Sequence, residues 1–162
     1  MIDNKNRTIL LDLVKFSSIN KLKLYVVGGT IRNHLLHTNI EDVDLTGESA
    51  ADLGVKFAQT SNFSYVPLDK TPGRATTRVI LPTKKYFDFT DMQGNDIKTD
   101  LLKRDFTINA MGQELSEFLK NRETIIDFCK GKQDLKNKII RTTSKSVFKE
   151  DPLRMLRAFR LA

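Results

Sequence analysis

Cysteine is nearly absent: Cys129 stands alone among 162 residues, which rules out an internal disulfide and a CxxC zinc site and fits a reducing compartment. It reads as a buried, inert thiol. Long apolar runs are missing as well. No stretch approaches the roughly 18 residues a membrane span requires, and the opening Met1-Ile2-Asp3-Asn4-Lys5 is neither a hydrophobic signal nor an Arg-rich, acid-poor transit peptide. A cytoplasmic protein without a membrane partner is expected. Internal repeats and low-complexity linkers are also lacking.

What is present is enough for a core. The chain is 40% hydrophobic and 29% charged, and a domain of this size buries roughly 70% of the surface its unfolded chain exposes. The net charge of +7 is concentrated at one end, since residues 132–162 hold nine Lys or Arg against Asp134, Glu150 and Asp151. Such a basic end suits a polyanion, nucleic acid or a nucleoside triphosphate, although a merely solvated helix face has the same composition.

Apolar spacing predicts a helix over 5–19 and a strand over 21–27 that ends at Gly28-Gly29. A helix over 30–37, a short strand over 42–46, and a helix over 50–60 capped by Ser49 follow, then a strand over 63–66. Stretches 74–81 and 84–90, parted by Pro82-Thr83, read as a hairpin, and the pattern turns helical at 107–112, extended at 124–128 and helical again over 144–162. The architecture is α/β (α+β), a small mixed sheet of about five strands flanked by helices and followed by a helical region. The last residues, Arg160-Leu161-Ala162, lie inside an apolar and basic helical pattern without a stop residue, which reads as a fragment cut within a helix.

Five constellations carry chemistry. Val26-Val27-Gly28-Gly29-Thr30-Ile31-Arg32 is a strand passing through two glycines into a helix start, where a phosphate can approach free backbone amides; a plain tight turn has the same sequence. Asp42-Val43-Asp44 places two carboxylates on one strand face, an arrangement a divalent cation relieves. Asp88, in Tyr86-Phe87-Asp88-Phe89, is the choice for a third carboxylate over Asp91, which sits in turn-forming sequence. Lys103-Arg104-Asp105-Phe106-Thr107-Ile108-Asn109 combines cations with a potential helix cap at Asp105. Finally, Glu150-Asp151-Pro152-Leu153-Arg154 continues to Arg157 and Arg160, aligning three arginines beside an apolar face of Leu153, Leu156 and Phe159. An N-cap at Asp151 and an i,i+4 Glu150–Arg154 pair explain part of it structurally.

In this order the five pieces resemble the catalytic head and early neck of the class II tRNA nucleotidyltransferase and bacterial poly(A) polymerase family, within the polymerase-β-like nucleotidyltransferases. The resemblance runs from about residue 22 onward. It implies a head over residues 1–129 and the start of a helical neck over 130–162. It implies metal-binding carboxylates at Asp42 and Asp44 with Asp88 as the third, two Mg²⁺ ions with nucleotide, and a triphosphate site at Gly28, Gly29 and Arg32. Arg104, Asp105 and Asn109 match a block that contacts sugar and phosphate; Asp151 and Arg154 match a pair reading the base of CTP or ATP, with Arg157 near the phosphates. The implied reaction is attack of a tRNA 3′-hydroxyl on the α-phosphate, releasing pyrophosphate. Poly(A) synthesis, and a nucleotide-binding head without turnover, are the alternatives. Two positions depart from the family pattern: Asn33 replaces Asp, and His37 replaces Gly.

Overall fold

The computed structural model describes residues 2–162. Its framework is a seven-stranded sheet in the order β3-β4-β5-β2-β1-β6-β7, built from β1 (Tyr25–Val27), β2 (Val43–Gly47), β3 (Ser64–Asp69), β4 (Thr76–Ile80), β5 (Tyr86–Asp91), β6 (Met111–Glu114) and β7 (Ile126–Asp127). All neighbours pair antiparallel except β2 and β5, which run parallel in the register Asp44↔Asp88. Helix α3 (Ala50–Thr60) provides the crossover into the β3-β4-β5 hairpins.

Along β2 and β5 alternate residues split between two faces. Val43, Leu45, Phe87 and Phe89 enter the core with Leu10 and Leu13 of α1 (Asn4–Ile19) and Leu53 and Phe57 of α3. Asp44 and Asp88 are left on the opposite face. Helix α3 presses hard on the sheet: a Cβ at Gly54 would fall 2.7 Å from Phe89 Cγ, so only glycine permits that approach. Asp3 opens α1 by accepting a hydrogen bond from Asn6 N at 2.9 Å.

Several elements differ from the sequence reading. The sheet has seven strands rather than about five: each of the six stretches read as extended joins it, and β6 adds a seventh in sequence expected to be helical, where only Thr107–Asn109 forms a 3₁₀ turn and Met111–Glu114 pairs with β1. Nothing local in Met-Gly-Gln-Glu favours a strand, and the free edge of β1 supplies the pairing. Three short helices, α4 (Ile97–Leu102), α5 (Leu115–Leu119) and α6 (Gly131–Lys136), were unanticipated. Ser49 does not cap α3; it adopts φ 49° without a side-chain bond, and Asp91 reaches over from β5 to accept from Ala51 N at 2.9 Å. Cys129 is half-buried, and burial, with Asp127 adding, pushes its thiol pKa up.

Beyond β7 the chain forms α6 (Gly131–Lys136), α7 (Val147–Glu150) and α8 (Arg154–Leu161). Its first part is tied to the 3₁₀ region: Thr107 N donates to Arg141 O at 2.8 Å, and Thr143 N to Asp105 O at 3.1 Å. Asp134, buried, takes Thr107 Oγ1 at 2.7 Å and Arg141 Nε at 3.0 Å. Among the described residues no helix is long and apolar enough to cross a membrane.

Candidate active site

Strand β1 leaves the sheet at Gly28, whose φ of 63° with ψ of −133° belongs to glycine, and turns into α2 (Gly29–Leu35). A Cβ at Gly28 would lie 3.2 Å from Arg104 Nη1 and 3.4 Å from Asp44 Oδ2; one at Gly29 would lie 3.4 Å from Arg32 Nη2. The glycine turn therefore brings two arginines and one carboxylate to a single point. Helix α2 has only seven residues, so the positive side of the site depends on side chains more than on a helix dipole.

Thr30 fastens this turn to β2. Its hydroxyl accepts from Asp44 N at 2.9 Å and donates to Asp42 O at 3.4 Å. Asp42, just before β2, accepts from Tyr86 N at 3.1 Å through Oδ1. The Asp44 carboxyl is raised above the usual carboxylate range: burial is the main cause, Arg104 opposes it, and the neighbouring Asp88 and Asp42 charges add to the rise. Asp88 lies beside Asp44 in register, but Arg78 of β4 grips it through Nε at 2.8 Å and Nη2 at 2.7 Å.

Arg104 is aimed by Asp100. One buried carboxylate oxygen of Asp100 accepts both Nε and Nη2 of Arg104, at 3.1 and 2.9 Å, while the other accepts from Gln93 N at 2.9 Å. This leaves Nη1 directed toward Gly28. Asp105 does not cap the turn that follows it, whose capping position is Phe106. Its Oδ1 instead accepts from Phe106 N at 2.8 Å and Asn109 Nδ2 at 3.3 Å. Its buried Oδ2 lacks a hydrogen bond and has Arg157 Nε at 3.0 Å, close enough for charge pairing without N–H alignment. Asn109 in turn accepts from Arg32 Nη1, and Arg32 Nη2 donates to Asn33 Oδ1 at 3.2 Å. Asn33 thus retains an acceptor where a charge was expected, and His37 holds φ 55°, the conformation a glycine would adopt freely.

These groups line one polar cleft of about 850 Å³, within the usual size of a ligand site. The cleft gathers Gly28, Gly29, Arg32, Asp42, Asp44, Asp88, Arg104, Asp105, Asn109, Arg154 and Arg157. Asp151 is not among its lining residues: its Oδ1 accepts from Leu153 N at 3.0 Å and Oδ2 lies 3.9 Å from Arg154 Nε. Arg154 also pairs with Glu150 at 3.3 Å. Asp91 lies apart, at α3.

The sequence reading missed Thr30, Arg78 and Asp100 as parts of the site. A hairpin centred on Thr83 puts residues 78 and 88 opposite one another, as the observed register does, so Arg78 had a legible signal; the other two had none. Among the described residues no cluster of three or more His, Cys, Asp or Glu is arranged to hold a metal ion. The hard oxygens of Asp42 and Asp44, with the open polar cleft beside them, nevertheless suit an ion that takes one or two carboxylates and completes its shell from a substrate.

Comparison with known proteins gives the family. Residues 24–141 match the poly A polymerase head domain. The CC-adding tRNA nucleotidyltransferase of Geobacter sulfurreducens is 36% identical over 140 residues, covering 85% of this chain and 31% of the relative. The A-adding tRNA nucleotidyltransferase of Aquifex aeolicus is 33% identical over 152 residues, covering 87% and 18%. The structure of the Thermotoga maritima CCA-adding enzyme complexed with tRNA superposes with a TM-score of 0.82 at 34% identity, covering 98% of this chain and 38% of that one. The chain thus spans about a third or less of the length of these curated relatives. With the glycine turn, the acid pair, Arg32 and Arg104 all falling in the matched segment, the chain belongs to the poly A polymerase head domain family.

Proposed function

We propose that this chain is the catalytic head and first part of the neck of a tRNA nucleotidyltransferase, which adds CMP, AMP or both from CTP or ATP to a tRNA 3′ end and releases pyrophosphate. The observation that carries the reading is the division of charge within one cleft: carboxylates on β2 and β5, and arginines from α2, the Arg104 segment and α8 converging beside them. The same proposal makes residues 1–129 the head and 130–162 the start of the neck, and places the protein in the cytoplasm.

Asp42 and Asp44 would hold Mg²⁺, two ions once nucleotide is present, with Asp88 as the third carboxylate. Bound there, Mg²⁺ supplies Lewis-acid polarisation of the α-phosphate and an acidified 3′-hydroxyl. Gly28 and Gly29 allow a triphosphate to approach closely, Arg32, Arg104 and Arg157 neutralise it, and Asp105 and Asn109 offer polar atoms to its sugar. Arg154 offers its donors to a base edge. Asp151 would share that task through Oδ2, since only Oδ1 is held by Leu153 N.

A second reading, nucleotide binding without turnover, is favoured by the engagement of Asp88 by Arg78. One experiment separates the two. Metal-dependent pyrophosphate release with CTP or ATP and a tRNA lacking its 3′ end, lost in Asp44→Asn, supports the enzyme. Nucleotide affinity without release supports the second reading, and a long adenylate product points to poly(A) synthesis.

A further inference from the structure

Two carboxylates side by side in the cleft are treated differently by the protein. Asp44 accepts no side-chain hydrogen bond or ion pair on its carboxylate among the described residues, whereas Arg78 occupies both oxygens of Asp88. The Arg78 guanidinium is further steadied 4.7 Å from the centre of the Tyr86 ring. Across the sheet order β4-β5-β2-β1 the cleft face therefore presents Arg78, Asp88, Asp44 and the glycine turn with Arg104 in sequence. The cations that suit a triphosphate lie on the β1 side of the acids. Arg78 lies on the other.

An in-line displacement places attacking and leaving oxygens on opposite sides of the phosphorus. With the leaving pyrophosphate on the Arg104 side, the attacking hydroxyl enters over β5 and β4, and the phosphate next to it in the strand comes within reach of Arg78. A guanidinium fork matches carboxylate and phosphate equally well. Exchange of one for the other needs no unpaired intermediate state of the arginine. A cation approaching Asp88 before that exchange meets a positive charge on both of its oxygens.

We propose that Arg78 is a lock on the third carboxylate: it withholds Asp88 from a divalent cation until a backbone phosphate of an incoming single-stranded RNA end draws the guanidinium away. The proposal rests on the reading of Asp42 and Asp44 as a cation site. It makes Arg78 a positioning residue acting through Asp88, and it couples completion of the metal site to arrival of the acceptor, so that the triphosphate is not spent on water.

Mn²⁺ binding to the nucleotide-free chain, followed by electron paramagnetic resonance, tests this without an activity readout. Arg78→Gln is expected to tighten Mn²⁺ binding about tenfold, equivalent to ~1.4 kcal/mol, and adding Asp88→Asn should cancel the gain. A short oligoribonucleotide should tighten Mn²⁺ binding by the unaltered chain, after subtraction of the RNA's own binding, and leave Arg78→Gln unchanged, as reciprocal linkage demands. Unchanged Mn²⁺ affinity in Arg78→Gln, a gain that survives Asp88→Asn, or no response to RNA would overturn the lock. If Arg78→Gln does not fold, Arg78→Lys, which keeps the charge without the fork, is expected to give a smaller gain, and no gain overturns the lock. In the presence of CTP, Asp44→Asn should lose Mn²⁺ binding; if it does and the Arg78 variants fail, the lock falls alone, whereas retained binding by Asp44→Asn sinks the acid-pair reading beneath it.

Discussion

Strand β2 and helix α8 both line the cleft, but they are held by different forces. Around β2, Val43 and Leu45 are buried in the core, the Asp44 amide is fixed by Thr30, and Asp42 is bound to the Tyr86 amide. Helix α8 buries no residue at all. Its arginines line the cleft, where Arg157 meets Asp105, and Arg154 is also paired with Glu150 outside it, while Leu153, Leu156 and Phe159 are 68%, 66% and 82% exposed. One wall is positioned by packing and the other by charge. Packing holds side chains to within about 0.5 Å, as a functional site needs, whereas exposed ion pairs contribute little and weaken with salt.

The largest effect expected from this contrast lies at Asp44. Its replacement by Asn should lower metal-dependent pyrophosphate release by roughly 10³-fold, since a metal's charge stabilisation is worth several kcal/mol. The melting temperature should rise, because a carboxyl with a raised folded pKa is a charge the fold tolerates at a cost. The sign follows from proton linkage: the folded state holds this proton more tightly than the unfolded state, so Asp44 destabilises above the ordinary value of 3.8 and the loss is relieved as pH falls. A melting curve for Asp44→Asn lying below that of the unaltered chain at neutral pH would show the carboxylate to be structural.

Next in size is the bond that aims Arg104. Asp100→Asn keeps an acceptor for Gln93 N and removes the charge facing Arg104, leaving a partly buried guanidinium unmatched at about 1–3 kcal/mol. Calorimetric titration should show triphosphate affinity falling about tenfold or more, with no further loss when Arg104→Ala is added. Additive losses would mean that Asp100 acts on the cleft by another route.

Asp134 sharpens the comparison on the side of the fold. Bonds from Arg141, and then from Thr107, hold its carboxyl below the usual range against the opposing effect of burial. A depressed folded pKa contributes stability that is present above 3.8 and lost as pH falls below it. Asp134→Asn should therefore melt earlier by a shift equivalent to about 1–2 kcal/mol at pH 7, with the difference closing in acid. A gap that persists unchanged at pH 3 would deny the charge its role.

The smallest effect belongs to α8. Phe159→Ser should change stability by no more than about 0.5 kcal/mol, as expected of an exposed side chain, while Arg157→Ala should weaken triphosphate binding at low salt and progressively less at high salt. A drop of several degrees in melting temperature for Phe159→Ser would show that α8 is packed after all.

Much of the candidate site was legible because its chemistry is local in sequence. The glycine pair after an apolar run marks a strand leaving the core, and Asp42-Val43-Asp44 declares by alternation that two carboxylates share a side with a buried valine between them. The hairpin around Pro82-Thr83 was equally plain, and its register contained Arg78 opposite Asp88 for a reader who counted across it. Strand β6 was not legible, since Met111–Glu114 has no β-branched residue and becomes a strand through the hydrogen bonds β1 offers. Nor was the cap of α3, which comes from Asp91 forty positions downstream of the amide it serves.

By itself the sequence determined which groups this protein can bring to a reaction: an acid pair, a flexible glycine turn, a set of arginines and a chain long enough to enclose them. Side-chain periodicity and backbone freedom are properties of a few consecutive residues, so they can be read without a fold. The tertiary structure alone decided which of those charges are free and which are spent. Asp44 stands open while Asp88 is held by Arg78, Arg104 is turned toward Gly28 by Asp100, and Asp151 is not among the residues lining the cleft that Arg154 enters. Pairing of charges depends on distances between strands that are remote in the chain, and such distances exist only after the core has packed.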